Sequence, residues 1–135
     1  MEPLNGGTMR GQRFPTANVS LNDNGNNTLL SMHPVDDETM RELGFIDRDG
    51  DGWYLCRPVS DDRDITLNVI IDTEDDDWRI DVLDERYLQP YDYQMILNAN
   101  PDRAYARMVA DKCEEWFLEL SDAGVLTGWK PGMYV

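Results

Sequence analysis

Acids and tyrosines carry most of the chemistry this chain can offer. Asp47, Asp49, Asp51 and Gly52 fill the first, third, fifth and sixth places of a calcium loop, where hard carboxylate oxygens and a turn glycine belong. The twelfth place, which needs a bidentate glutamate, is Pro58, so a true EF-hand is excluded. Two readings of 47–52 follow: a weak calcium site on Asp47, Asp49 and Asp51, or a polar turn in which Asp and Gly serve the backbone. His33 is the only histidine, and no serine or cysteine sits in a recognisable nucleophile motif. Carboxylates such as Asp81 and Glu85 can share acid and base roles, but a solvated sheet edge accounts for them equally well. The GGTMRG run lacks the lysine and threonine of a phosphate-cradling loop. We therefore expect no catalytic residue and no cofactor, with calcium as the one metal candidate.

Two features speak of binding. Tyr87, Tyr91 and Tyr93 are interleaved with Asp84, Glu85, Asp92 and Gln94. Tyrosine offers a large, stiff contact surface with a polar tip, and flanking acids suit an Arg- or Lys-rich partner or a small ligand. The alternative is that the rings wedge a connecting helix onto a sheet. In the C-terminal helix Arg103 and Arg107 come first and Glu114, Glu115, Glu119 and Asp122 last, a polarity opposed to the helix dipole. Helix stability does not select that order. Together with Asp72, Glu74, Asp75, Asp76 and Asp77 these acids can form an anionic surface. In an extended run, residues about 3.3 Å apart approach the roughly 3.4 Å rise per phosphate of one DNA strand, as a nucleic-acid mimic would need. Plain solubility is the competing explanation.

The formal net charge is −15, and its distribution sharpens the point. Before Pro34, Glu2 and Asp23 cancel Arg10 and Arg13, so the excess lies after that residue. Direct binding to nucleic acid or anionic lipid needs positive charge, whereas a basic protein partner does not. Hydrophobic residues make up 41% of the chain, too many for wholesale disorder. No apolar run approaches the roughly 18 to 20 residues of a membrane span, and the N-terminus lacks a signal-peptide pattern, so a soluble cytoplasmic protein is expected. Cys56 and Cys113 are too few for a disulfide framework and are expected as buried, reduced thiols.

The elements that position these groups centre on 64–94. Ile65, Leu67, Val69 and Ile71 alternate, as do Trp78, Ile80 and Val82, and a polar loop from Asp72 to Asp77 joins them into a hairpin. Upstream, residues 1–12 are expected to be flexible. Phe14 to Leu21 and Thr28 to Met32 pair as an N-terminal hairpin within 13–33, around the turn signal NDNGNN. Asp36 caps a short helix that Gly44 closes, with Phe45 packed back on it. Trp53 to Val59 is a strand, with Trp53 and Leu55 on one face and Tyr54 and Cys56 on the other. Pro90 opens a second short helix to about Leu97, and Asn100–Pro101 signals the start of the long one. That helix buries Met108, Val109, Trp116, Phe117 and Leu120, ends at Gly124, and is followed by a tail that packs as an edge strand or a tethered terminus.

The segments WRIDVLDERYLQPYDYQMIL and SDAGVLTGWKPGMYV resemble the C-terminal halves of small acidic proteins of phages and prophages of Gram-positive bacteria. The matching stretches are Val82 to Glu85, Gln89 to Gln94, Ala123 to Gly128 and Gly132 to Val135, with ELGF at 42–45. The resemblance covers roughly residues 36–135 and carries no catalytic residue. It implies a mobile-element origin and stoichiometric action on a host enzyme or defence system, inside a bacterial cell. The chain is thus expected to be a single α+β domain over its 135 residues. An antiparallel sheet of about four to six strands is packed by one long C-terminal helix, with two short helices. The expected partner-binding residues are Glu74, Asp75, Asp76, Asp77, Asp84, Glu85, Tyr87, Tyr91, Asp92, Glu115 and Glu119.

Overall fold

Residues 30–75 and 77–133 are described by a computed structural model, and they form an α+β fold. The elements are β1 (Ser31–Met32), α1 (Asp37–Leu43), β2 (Ile46–Asp47), β3 (Gly52–Pro58), β4 (Ile65–Asp72), β5 (Asp77–Asp84), β6 (Gln89–Pro90), α2 (Tyr93–Ala99), α3 (Ala104–Asp122) and β7 (Leu126–Thr127). Strands β2 to β6 make one antiparallel sheet in chain order, and β1 pairs with β7. The expected flexible segment 1–12 and the hairpin portion up to residue 29 lie outside the described residues. The returning strand survives as β1, with Ser31 opposite Thr127 and Met32 opposite Leu126.

Alternation sets the sheet. Leu67 pairs with Val82 and Val69 with Ile80, so the two apolar runs share one face, and these side chains, Ile65, Ile71, Trp53 and Leu55 are all buried. A slip of one residue would turn that whole set outward, which is why the register is strongly specified. Asp72 shapes the loop, its Oδ1 accepting from the backbone N–H of Glu74 and Asp75 at 3.0 Å each. On the opposite face a polar chain runs across three strands. Tyr54 Oη donates to Asn68 Oδ1 (2.8 Å), Asn68 Nδ2 to Thr66 Oγ1 (2.9 Å) and Thr66 Oγ1 to Glu85 Oε2 (2.6 Å). Burial pushes the Tyr54 hydroxyl up to about 12, with Cys56 beside it and the Glu85 charge adding to the shift.

The short helix forms as its caps require. Asp36 accepts from Thr39 N–H (3.0 Å), Gly44 takes φ 105°, and Phe45 N–H reaches back to Met40 O (3.0 Å). A Cβ on Gly44 would collide with the Arg57 guanidinium, which lies against this C-terminus and 5.6 Å from the Trp116 ring centroid. Arg57 therefore links α1, β3 and α3.

Four expectations need correction. Pro90 does not open a helix: Gln89 and Pro90 pair with Asp84 and Leu83 at the sheet edge, where a missing N–H is tolerated. Helix α2 begins instead after Asp92, whose Oδ1 accepts from Met95 N–H (3.0 Å). Asn100 ends α2 rather than capping α3; its extended backbone suits a residue before proline, and α3 begins at Ala104 with no side-chain cap. The buried line of α3 is Ala106, Val109, Ala110, Cys113, Phe117 and Leu120, while Met108 and Trp116 are only half-buried. Of the cysteines, both free, Cys113 is buried and its thiol pushed up by that burial, but Cys56 is half-buried on the polar face. Val125 N–H bonds Leu120 O (3.0 Å), closing α3 as expected. Among the described residues no helix is long and apolar enough to cross a membrane.

Candidate functional site

The densest polar constellation gathers the β3–β4 loop, the β5–β6 loop and the first turn of α3. Ser60 Oγ donates to Asp62 Oδ1 (2.6 Å) and accepts from Ile65 N–H (3.1 Å). Asp62 also accepts from Asp64 N–H (3.0 Å) and from Tyr105 Oη (2.9 Å). Tyr91 meets the Tyr105 ring edge-on at 6.0 Å. Arg86 forks onto Asp84, Nε to Oδ1 at 3.1 Å and Nη2 to Oδ2 at 2.9 Å, with Asp64 at 3.6 Å. The Arg86 hydrogen bond holds the Asp84 carboxyl below the ordinary range, and the Ser60 hydrogen bond does most of the same for Asp62. Burial raises the hydroxyls of Tyr91 and Tyr105, so both stay neutral hydrogen-bonding groups rather than bases or nucleophiles. The cluster locks two loops to a helix.

That lock makes a pH prediction. A depressed folded-state carboxyl contributes stability above its unfolded value and loses it as pH falls through the folded one. In urea titrations, the deficit of Asp84→Asn relative to wild type is expected to be largest near neutrality and to shrink below about pH 4. A gap constant from about pH 7 to about pH 2 would contradict the Arg86–Asp84 pairing.

The structure disperses much of the expected contact surface. Asp84 is a correction: alternation carries past Val82, so its side chain is 6% exposed, opposite Ile65 and held by Arg86. Glu85 is exposed but accepts from Thr66. The three tyrosines do not converge. Tyr87 is 67% exposed beneath the Arg86 guanidinium, Tyr91 is half-buried on Tyr105, and Tyr93 is core. Asp92 serves as the α2 cap. Glu74 and Asp75 are exposed at the hairpin tip, Asp76 lies outside the described residues, and Asp77 is half-buried with Oδ1 accepting from Trp78 N–H. Asp81 pairs with Arg79 at 3.0 Å, and Glu85 with Thr66. His33 is exposed and bonds Ser31 Oγ at 2.9 Å.

The calcium candidate does not assemble. Asp47 Oδ1 accepts from Gly50 N–H (2.9 Å) and Oδ2 faces Arg41 (3.9 Å), as in a backbone-serving turn. Among the described residues no group of three or more His, Cys, Asp or Glu is placed to hold a metal ion.

Glu115 and Glu119 fall where expected, exposed on α3, and they have company. Asp111, Glu115, Leu118, Glu119 and Asp122 recur at helical spacing on the side away from the core, and Leu118, 48% exposed, sits inside the acidic stripe. The first turn of α3 has no acid and the last no base. Sequence reading missed Leu118, Asp111, Ser60, Asp62 and Tyr105. For the first two the signal was present, as positions complementary to the apolar line.

Comparison with protein-family models gives no match, and neither does comparison with curated proteins. By structure the chain is similar to a DUF1831 family protein from Lactobacillus plantarum, solved as a crystal structure, with a TM-score of 0.54 and 14% identity over 73% of this chain and 84% of that one. At that identity the likeness is one of fold.

Proposed function

We propose that this protein is a non-enzymatic, phage-type binding protein that acts stoichiometrically on a basic, nucleic-acid-binding host or defence protein in the bacterial cytoplasm. The observation that carries this reading is the outward stripe of α3, four carboxylates around Leu118. Glu119 and Asp122, in its last turn, oppose the helix dipole at a cost of a few tenths to about 1 kcal/mol each at low salt, so they are not there for the helix. Successive stripe positions lie about 6 Å apart along the axis, a spacing that a row of Lys or Arg can meet. With 27 acidic and 12 basic residues, pairing every cation inside the fold would still leave 15 carboxylates uncompensated. The exposed hairpin tip at Glu74 and Asp75 extends the same field. Tyr87, exposed in the loop after β5, supplies apolar contact of the kind interfaces favour.

The test is affinity capture from a lysate of the natural host under a salt gradient, followed by kinetics with the captured protein. A basic partner, released as salt rises and associating more slowly with a Glu115→Lys/Glu119→Lys double variant, is the expected result. Retention unchanged from about 0.05 to about 1 M salt, or an association rate indifferent to the charge reversal, would overturn the proposal.

A further inference from the structure

The search beyond the α3 stripe ends at Glu114, midway along α3 but turned away from the stripe toward the chain that follows the helix. Its Oε1 accepts from Gly132 N–H at 2.8 Å, joining residues 18 apart in sequence. Its Oε2 is shielded from solvent and bonded to nothing. Trp129, 8% exposed and tilted against Phe117 at 6.2 Å, has its Nε1–H shielded in the same way. The indole N–H is close enough to Glu114 to favour its charged form, but not close enough to satisfy Oε2. Asp111, one turn earlier, repels that charge, and the Cys113 thiol beside it is neutral. Lys130, in the docked turn, is exposed.

We propose that Glu114 is a protonation-controlled clasp that holds the 128–133 segment tightly when neutral and loosens it when charged. A carboxylate oxygen out of water with no donor is costly, whereas a neutral carboxyl tolerates the position and still accepts from Gly132. Burial accordingly raises the Glu114 carboxyl, more than Gly132 and Trp129 lower it. The sign follows: docking is fully supported below the ordinary glutamate range and loses that support as pH rises through the raised value. The clasp therefore releases as pH rises above the ordinary glutamate range, in the direction opposite to the Asp62 and Asp84 lock, which weakens only in acid.

The reporter is the Trp129 Nε1–H, one of four indole signals in a proton–nitrogen spectrum, with its exchange corrected for intrinsic pH dependence. Protection in the wild type is expected to fall several-fold from about pH 5 to about pH 8, a range in which the Asp84 lock stays charged. Glu114→Gln, which keeps the acceptor for Gly132 without the charge, should raise protection at neutral pH and flatten its profile. Asp111→Asn, at an exposed position, should move the midpoint to lower pH. A flat wild-type profile, looser packing in Glu114→Gln, or an unmoved midpoint in Asp111→Asn would each overturn the clasp.

Discussion

Phe117→Ala is expected to lower the unfolding free energy by about 3 to 5 kcal/mol, the loss for deleting an enclosed aromatic side chain. Phe117 is fully buried toward the C-terminal end of the α3 line, with Leu120 and Cys113 one turn to either side and Trp129 tilted against it. Removing the ring leaves a void bounded by sheet, helix and tail at once, and none of these can collapse into it alone. Trp116→Ala supplies the contrast. That ring is half-buried and holds the Arg57 guanidinium, a contact of about 0.5 to 1 kcal/mol in exposed settings, so its loss should be clearly smaller despite the larger side chain. Urea denaturation followed by far-ultraviolet circular dichroism, at unchanged m-value, checks the ranking. Equal losses would mean that α3 is rotated from the orientation described. Against a total stability of order 5 to 15 kcal/mol for such a domain, the Phe117 variant stands near the edge of folding.

The same pair shows how far local pattern reaches. Spacing made 104–122 an amphipathic helix, and alternation made 65–82 a hairpin with its inner face at Leu67, Val69, Ile80 and Val82. Both are short-period signals that survive in any environment. The rotation of α3 was harder to read because Ala106, Ala110 and Cys113, which are buried, weigh little in a hydrophobic count. Pro90 and Asn100 misled for a related reason. Each fits two roles locally, and the choice was made by a distant partner, the Leu83–Asp84 edge for Pro90 and the end of α2 for Asn100.

For the binding surface, legibility followed sequence distance. Glu115 and Glu119 were readable as outward because the apolar residues around them fix the helix face. Asp84 was not, since its direction depends on whether β5 continues past Val82, and two further residues of pairing take a carboxylate from solvent to the Arg86 fork. The Asp62–Tyr105 contact spans 43 residues and has no local trace at all. Such contacts turn a run of tyrosines and acids from a uniform surface into a lock at one end and a stripe at the other.

Gly52→Ala should be the most damaging small substitution in the sheet, costing roughly 2 to 4 kcal/mol, from overpacking together with backbone strain. At φ 157° Gly52 begins β3 opposite Asp72, and an added Cβ would overlap the Ile71 carbonyl oxygen and come within 3.0 Å of its carbon. The obstacle is backbone of the central strand, which cannot swing aside as a side chain would. Relief requires β3 to lift from β4 just where Trp53 pairs with Ile71, and Asp51 O would then lose Thr73 N–H, now at 2.9 Å. Gly50, in the same turn at φ 86°, has open space where a Cβ would go. Gly50→Ala should therefore cost only the left-handed backbone penalty, about 1 to 2 kcal/mol. Thermal and urea unfolding of the two variants side by side decides the matter. If Gly52→Ala proves no worse than Gly50→Ala, the close approach of β3 to β4 at Ile71 is not what holds that end of the sheet.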